Sequence, residues 1–320
     1  MKIVVLDGYA MNPGDMSWES LGEYGDLKVY DRTPGDKIIE HAEGAYAVFT
    51  NKTPLSGDVI GKLPDLKYIG VLATGYNVVD VDAANNHGII VANVPGYSTD
   101  AVAQMVMALL LELCHHIGDH SREVREGVWS TSKDFAYWSY PLVELKGKIM
   151  GIIGFGQIGR AVAKLAAAFG MKILYNSRNP KEYARETGAL HTGIEKLLSE
   201  SDAVSLNCPL TELTSNLINA DSLKLMKETA FLINTARGPV VNETDLAMAL
   251  NTGSIAGAAT DVLSREPADK DNPLLYAKNC IITPHIAWAT KEARERLLTV
   301  TVDNFKAFME GQPQNTVGPI

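Results

Sequence analysis

The chain has 320 residues, 46% of them apolar and 21% charged, the balance of an ordinary globular protein and not of a disordered or fibrous one. At roughly 150 residues per domain, the length suggests two domains. Twenty-nine Lys and Arg against 38 Asp and Glu leave a formal net charge of −9 without any basic tract, so nucleic acid has no electrostatic footing and is not an expected partner.

The opening MKIVVLDGY reaches an acid at Asp7 and reads as a first strand over 2–8, not as a signal peptide. Further strands are expected over 27–31, 45–51, 66–74 and 89–95, with helices over 36–44, 56–64 and 79–88 between them. These strands are apolar on consecutive positions, as in a parallel sheet covered on both faces. Ser98, Thr99 and Asp100 offer an N-cap to a helix over 101–118 that is apolar nearly all round, hence buried, and expected to bridge two units. Its longest apolar run, 105–111, falls far short of the ~20 residues that cross a bilayer, and no membrane association is expected. His115 and His116, near its end, read as helix C-terminal caps.

The pattern then restarts, with strands expected over 148–154, 171–176, 203–208, 230–235, 257–262 and 280–285 and helices over 158–169 and 243–250. Parallel strands need crossovers and helices supply them, so two β-α series mean two doubly wound units. A final amphipathic helix over 290–309, packed back on the first unit, would make that unit discontinuous: residues 1–98 with 290–320 around an insertion of 99–289. Cys114, Cys208 and Cys280 show neither disulfide nor zinc spacing. No metal is expected, and a reducing cytoplasm is the expected location.

Gly154-Phe155-Gly156-Gln157-Ile158-Gly159 is a GxGxxG that ends an expected strand and opens an expected helix, the context of a dinucleotide fingerprint. Its glycines permit a tight turn, close approach of a pyrophosphate and close helix–strand packing, and the free N–H groups of the helix start face the phosphates. An NAD site usually carries an acid at the end of the next strand. Here Asn176, Ser177 and Arg178 stand there instead. A neutral Asn176 does not repel a 2′-phosphate, and Ser177 and Arg178 offer it donors, which points to NADP or to either cofactor over strict NAD.

Ligands in open α/β sheets bind outside the carboxyl ends of the strands. Those ends carry Arg237, Glu266 and His285. A guanidinium can fork a substrate carboxylate. A histidinium can protonate a carbonyl while a nicotinamide reduces its carbon. A carboxylate behind the imidazole orients it and favours its charged form. Together they fit reduction of a 2-oxo acid. Singly, each has a plainer reading, such as a surface pair of Arg237 with Glu243.

The stretches LATGYNVVD (72–80), GIIGFGQIGRAVAKLAAAFGMKI (151–173), NTARGPVVNE (234–243), AATDVLSREP (258–267) and TPHIAW (283–288) resemble the D-isomer-specific 2-hydroxyacid dehydrogenases over the whole chain. The resemblance implies a Rossmann dinucleotide-binding domain inserted in a flavodoxin-like substrate domain, and a homodimer. It implies Arg237 as the substrate-binding arginine, His285 as proton donor and Glu266 as its partner. It also implies Ala73, Thr74 and Gly75 as backbone donors to the substrate carboxylate, with Thr235 and Asp261 on the cofactor and Cys208-Pro209 beside the adenine. Within the family, Trp288 after HIA and WSTSKDFAYWSY over 129–140 are similar to the glycerate dehydrogenase branch, which implies small substrates such as hydroxypyruvate and glyoxylate, with Trp288 narrowing the pocket. A D-lactate-type reductase and a dinucleotide-sensing binding protein on the same scaffold are the alternatives. No additional C-terminal regulatory domain and no basic cluster for a phosphate are expected, which disfavours phosphoglycerate as substrate. The five aromatics Trp129, Phe135, Tyr137, Trp138 and Tyr140 lie within twelve residues, and this arm is expected to be a contact surface reaching a partner subunit near its active site.

Overall fold

A computed structural model describes residues 1–180 and 182–318. The last two residues of the segment expected in the first unit therefore lie outside the description. The chain divides into two compact units, Met1–Ser98 with the segment that starts at Ala289, and Thr99–Trp288.

The first unit holds a five-stranded sheet of β1 (Lys2–Val5), β2 (Asp26–Val29), β3 (Ala47–Thr50), β4 (Tyr68–Val71) and β5 (Ile90–Ala92), in the order β2-β1-β3-β4-β5. Every pairing is parallel. This is the flavodoxin-like order. β3 (AVFT) and β4 (YIGV) are buried at every position, which is why neither alternates. Gly70 is required inside β4, because a side chain there would run into the Phe49 ring. The Lys291–Met309 helix belongs to this unit. Its fully buried Phe305 meets Phe49 and Tyr68 with ring centroids 5.5 and 5.1 Å apart. Arg294, 8% exposed, forks Asp15 with two bonds of 2.7 Å and donates to the Met11 carbonyl. An aromatic cluster and a bidentate pair of a buried arginine with an exposed aspartate thus draw the two chain segments together.

The second unit holds seven parallel strands, β6 (Ile149–Ile153), β7 (Lys172–Asn176), β8 (Leu190–His191), β9 (Ala203–Leu206), β10 (Phe231–Asn234), β11 (Gly257–Thr260) and β12 (Cys280–Ile282), in the order β12-β11-β10-β9-β6-β7-β8. Chain direction across the sheet reverses between β6 and β9, a topological switch point where open sheets take ligands. β8 escapes the sequence reading because two exposed residues carry no apolar run to detect.

The helix expected over 101–118 needs correction. It spans Thr99–His115, breaks at His116 in the left-handed conformation (φ 48°), and a second helix, Ile117–Arg125, follows. The Glu112 carboxylate accepts from the Gly118 N–H at 3.0 Å and so caps the new helix, while the His116 N–H still closes on the Glu112 carbonyl. His115 is the last residue of the buried helix, and His116 is the hinge between the two. Thr99–His115 packs on the Gln157–Ala168 helix and on β10 and β11, within the core of the second unit. Among the described residues, no single helix is long and apolar enough to cross a membrane.

Candidate active site

The glycine loop leaves β6 and enters the Gln157–Ala168 helix with Gly156 at the N-cap. Each glycine has its own cause. Gly154 sits at φ +92°, where an added Cβ would come within 2.6 Å of the Asn207 and Cys208 backbone. A Cβ on Gly159 would strike the Gly154 carbonyl, so helix and strand pack closely only without one. Gly156 faces open space, which leaves room for a large anion at the helix start. The loop is buttressed from outside: Phe155 stacks on Tyr175 at 4.1 Å, and the Tyr183 hydroxyl donates to the Phe155 carbonyl. The Arg160 guanidinium lies 4.2 Å over the Tyr183 ring.

Two buried polar atoms at neighbouring strand ends lack a partner among the described residues, Asn207 Oδ1 after β9, beside Gly154, and Thr235 Oγ1 after β10. Buried polar atoms are almost always hydrogen-bonded, so a ligand bound beside them is the natural source of the missing partners. With the open Gly156 and the unpaired N–H groups of a helix start, these residues fit a dinucleotide. Cys208 is 8% exposed, and burial raises its thiol above the ordinary range; Pro209 beside it is exposed. At the end of β7, Asn176 donates to the Thr192 carbonyl at 2.8 Å; beyond it, Ser177 donates to that of Asn179 at 2.6 Å and Arg178 is exposed.

Three strand ends bring the chemistry. His285, after β12, places Nδ1 2.6 Å from Glu266 Oε2. The other Glu266 oxygen accepts from the Leu263 N–H at 3.1 Å, which fixes the carboxylate. With Nδ1 occupied, Nε2 is the nitrogen left for a substrate, the tautomer logic of a paired imidazole. Arg237 follows β10 and is exposed, its Nη1 donating to the Ala236 carbonyl at 2.7 Å. It does not pair with Glu243, whose carboxylate accepts from the Ser264 N–H and from Asn272 Nδ2. Gly238 lets this turn press on the Leu263–Ser264 backbone, where any Cβ would collide.

Asp261, 1% exposed, gathers three donors from the segment that carries the imidazole: Thr283 Oγ1 at 2.5 Å, Ile286 N–H at 2.9 Å and Ala287 N–H at 2.8 Å. His285 itself is left-handed (φ 56°), a conformation that costs a residue with a Cβ about 1–2 kcal/mol. Trp288 Nε1 donates to the His285 carbonyl at 2.8 Å.

In the first unit, Ala73, Thr74 and Gly75 follow β4. The Ala73 and Thr74 carbonyls are taken by the Val94 N–H and Asn93 Nδ2, and Thr74 Oγ1 donates to the Val94 carbonyl. Asp7 was read in the sequence only as the acid that ends the first apolar run. It is 7% exposed and its carboxylate accepts from the N–H groups of Asn51, Lys52 and Thr53 after β3. An acid just past a buried strand was the available signal, the same one that marks Asp261. Tyr183 and Arg160 left none, since their contact spans two elements. Among the described residues, no group of three or more His, Cys, Asp or Glu is placed to hold a metal ion.

Residues 107–287 match the model of the D-isomer specific 2-hydroxyacid dehydrogenase NAD binding domain. The chain is 48% identical to hydroxypyruvate reductase of Blautia hydrogenotrophica over 99% of both chains. It is 41% identical to glycerate dehydrogenase of Methylorubrum extorquens over 99% of this chain and 98% of that one. The solved structure of an acyclic imino acid reductase in complex with NADPH and D-Arg superposes with a TM-score of 0.86 at 31% identity, over 99% of this chain and all of that one. The chain belongs to the D-isomer-specific 2-hydroxyacid dehydrogenase family. The expectation of an oxidoreductase that uses a nicotinamide dinucleotide holds.

Proposed function

We propose that the chain reduces small 2-oxo acids, hydroxypyruvate and glyoxylate first among them, to D-glycerate and glycolate. The observation that carries this reading is the 2.6 Å contact between His285 Nδ1 and Glu266, which leaves Nε2 as a directed proton donor. A protein that merely senses dinucleotides has no use for such a relay. Names of similar proteins, hydroxypyruvate reductase and glycerate dehydrogenase, support the substrate class.

In this reading Arg237 takes the substrate carboxylate in a charge-assisted fork, and the backbone N–H groups of Ala73, Thr74 and Gly75 serve the same substrate group. His285 Nε2 hands its proton to the carbonyl oxygen, and Glu266 steadies the imidazole while its charge changes. The bound nicotinamide supplies the hydride to the carbonyl carbon. The glycine loop, from Gly154 through Gly156, Gln157, Ile158 and Gly159, holds the pyrophosphate. Thr235 and Asp261 lie on the nicotinamide side and Cys208-Pro209 on the adenine side. Trp288 narrows the pocket towards small substrates. Residues 99–289 form the dinucleotide-binding domain, and 1–98 with 290–320 the substrate domain.

Neutral Asn176 beside exposed Arg178 supports NADPH at least as well as NADH. Trp129, Phe135 and Trp138 are 52%, 93% and 67% exposed, and so apolar a surface supports a homodimer in which this arm reaches the partner near its active site. The three cysteines stand outside any disulfide, which supports a cytoplasmic location. Following NADPH and NADH absorbance with a panel of 2-oxo acids tests the reading. No oxidation with hydroxypyruvate or glyoxylate overturns it, and preferred oxidation with pyruvate supports a D-lactate-type enzyme instead.

A further inference from the structure

The segment carrying His285 is held in an unfavourable shape by four partners. The left-handed backbone at His285 is one that residues with a Cβ adopt uncommonly, Asn, Asp and His more often than others. A residue kept there must be over-determined by its surroundings, and such outliers concentrate where function needs them. The side chain is tied to Glu266. The His285 N–H closes on the Thr283 carbonyl at 3.0 Å, and the Asp261 carboxylate holds Thr283, Ile286 and Ala287. The remaining backbone polar group of the residue, its carbonyl, accepts from the Trp288 indole at 2.8 Å.

We propose that Trp288 is a positioning residue for the proton donor: its Nε1–H holds the His285 carbonyl, and through it the left-handed turn that presents Nε2 to the substrate. This rests on the reading of His285 as proton donor and goes beyond the role of Trp288 as a size filter. The two roles belong to different parts of one side chain. The N–H orients His285 and the ring surface bounds the pocket. They are therefore separable by substitution. Phe keeps a ring and deletes the donor. Gln places an amide nitrogen four bonds from Cα, as Trp places Nε1, and deletes the ring.

Steady-state kinetics of Trp288→Phe and Trp288→Gln, with hydroxypyruvate and with a bulkier 2-oxo acid, test the proposal. Trp288→Phe is expected to lower kcat about three- to tenfold, the worth of one neutral hydrogen bond, with KM and the ratio between the two substrates held. Trp288→Gln is expected to lose less kcat than Trp288→Phe while shifting that ratio towards the bulkier acid. Hydrogen exchange of the Trp288 indole N–H in cofactor-free wild type supplies a readout independent of turnover, and protection is expected. A wild-type kcat in Trp288→Phe, a lower kcat in Trp288→Gln than in Trp288→Phe, or free exchange of the indole N–H would each overturn the proposal. If wild type turns over no 2-oxo acid, the functional reading has failed separately. Indole exchange, with the His285 ring nitrogen shifts in Trp288→Phe, then decides the positioning role alone: unchanged shifts overturn it.

Discussion

Glu266 Oε2 stands 2.6 Å from His285 Nδ1, although nineteen residues of chain separate them. The two reach each other because β11 and β12 are neighbours in one parallel sheet and each residue follows one of those strands. Replacing His285 with Ala is expected to lower turnover by about 10²–10⁴, the range of a placed acid–base group. Glu266→Gln, which keeps the shape and loses the charge, is expected to fall between that variant and wild type. Cofactor binding, followed by fluorescence titration, is expected to survive both changes. Near-normal turnover in His285→Ala would remove it as proton donor.

Arg237→Ala is expected to raise KM for the 2-oxo acid and to lower kcat together. Losing a charge-assisted bond costs about 1.5–3 kcal/mol, or roughly ten- to 150-fold in kcat/KM. Arg237→Lys is expected to recover little, since an ammonium cannot fork a carboxylate. Unchanged kcat/KM in Arg237→Ala would leave the carboxylate without its proposed clamp.

Cofactor choice is expected to follow charge after β7. Arg178→Ala should raise KM for NADPH selectively, and Asn176→Asp should move preference towards NADH by repelling a 2′-phosphate. A wild type that ignores NADPH would show that Arg178 serves no phosphate.

Light scattering at micromolar concentration is expected to report twice the chain mass of 34.6 kDa. Phe135→Ser with Trp138→Ser, both on the exposed arm, should shift the mass towards a single chain. A single-chain mass in wild type would exclude the dimer.

Burial pushes the thiol of Cys280 up to about 12 and that of Cys114 to about 11. Unfolded thiols ionise near pH 8.5, so below that value the folded and unfolded chains keep the same thiol protons. Above it the unfolded chain loses thiol protons that the folded chain retains, so stability falls as pH rises from about 9 towards the folded values. The thermal midpoint should decline over that window, and less steeply in Cys280→Ala. Equal slopes would show that Cys280 carries none of the effect.

Much of this was legible in the chain because the signals are local. Runs such as KIVV and KILYN announce buried parallel strands, since a strand covered on both faces needs no alternation. The glycine spacing from Gly154 to Gly159 follows from steric demands inside one strand–turn–helix, and strand ends can be inspected once strands are known, which is how Arg237, Glu266 and His285 came into view. Other features depend on which elements meet. The break at His116 turns on Glu112 reaching across it to Gly118. The two-residue β8 exists because β7 offers it an edge to pair with. Asp7 and Asp261 act by collecting backbone groups of segments placed beside them by the sheets. Periodicity and spacing record what each segment must bury, whereas a hydrogen bond between distant segments exists only after burial has set them side by side. The residues proposed to react were therefore legible in the sequence, and the left-handed turn at His285 was decided by tertiary structure.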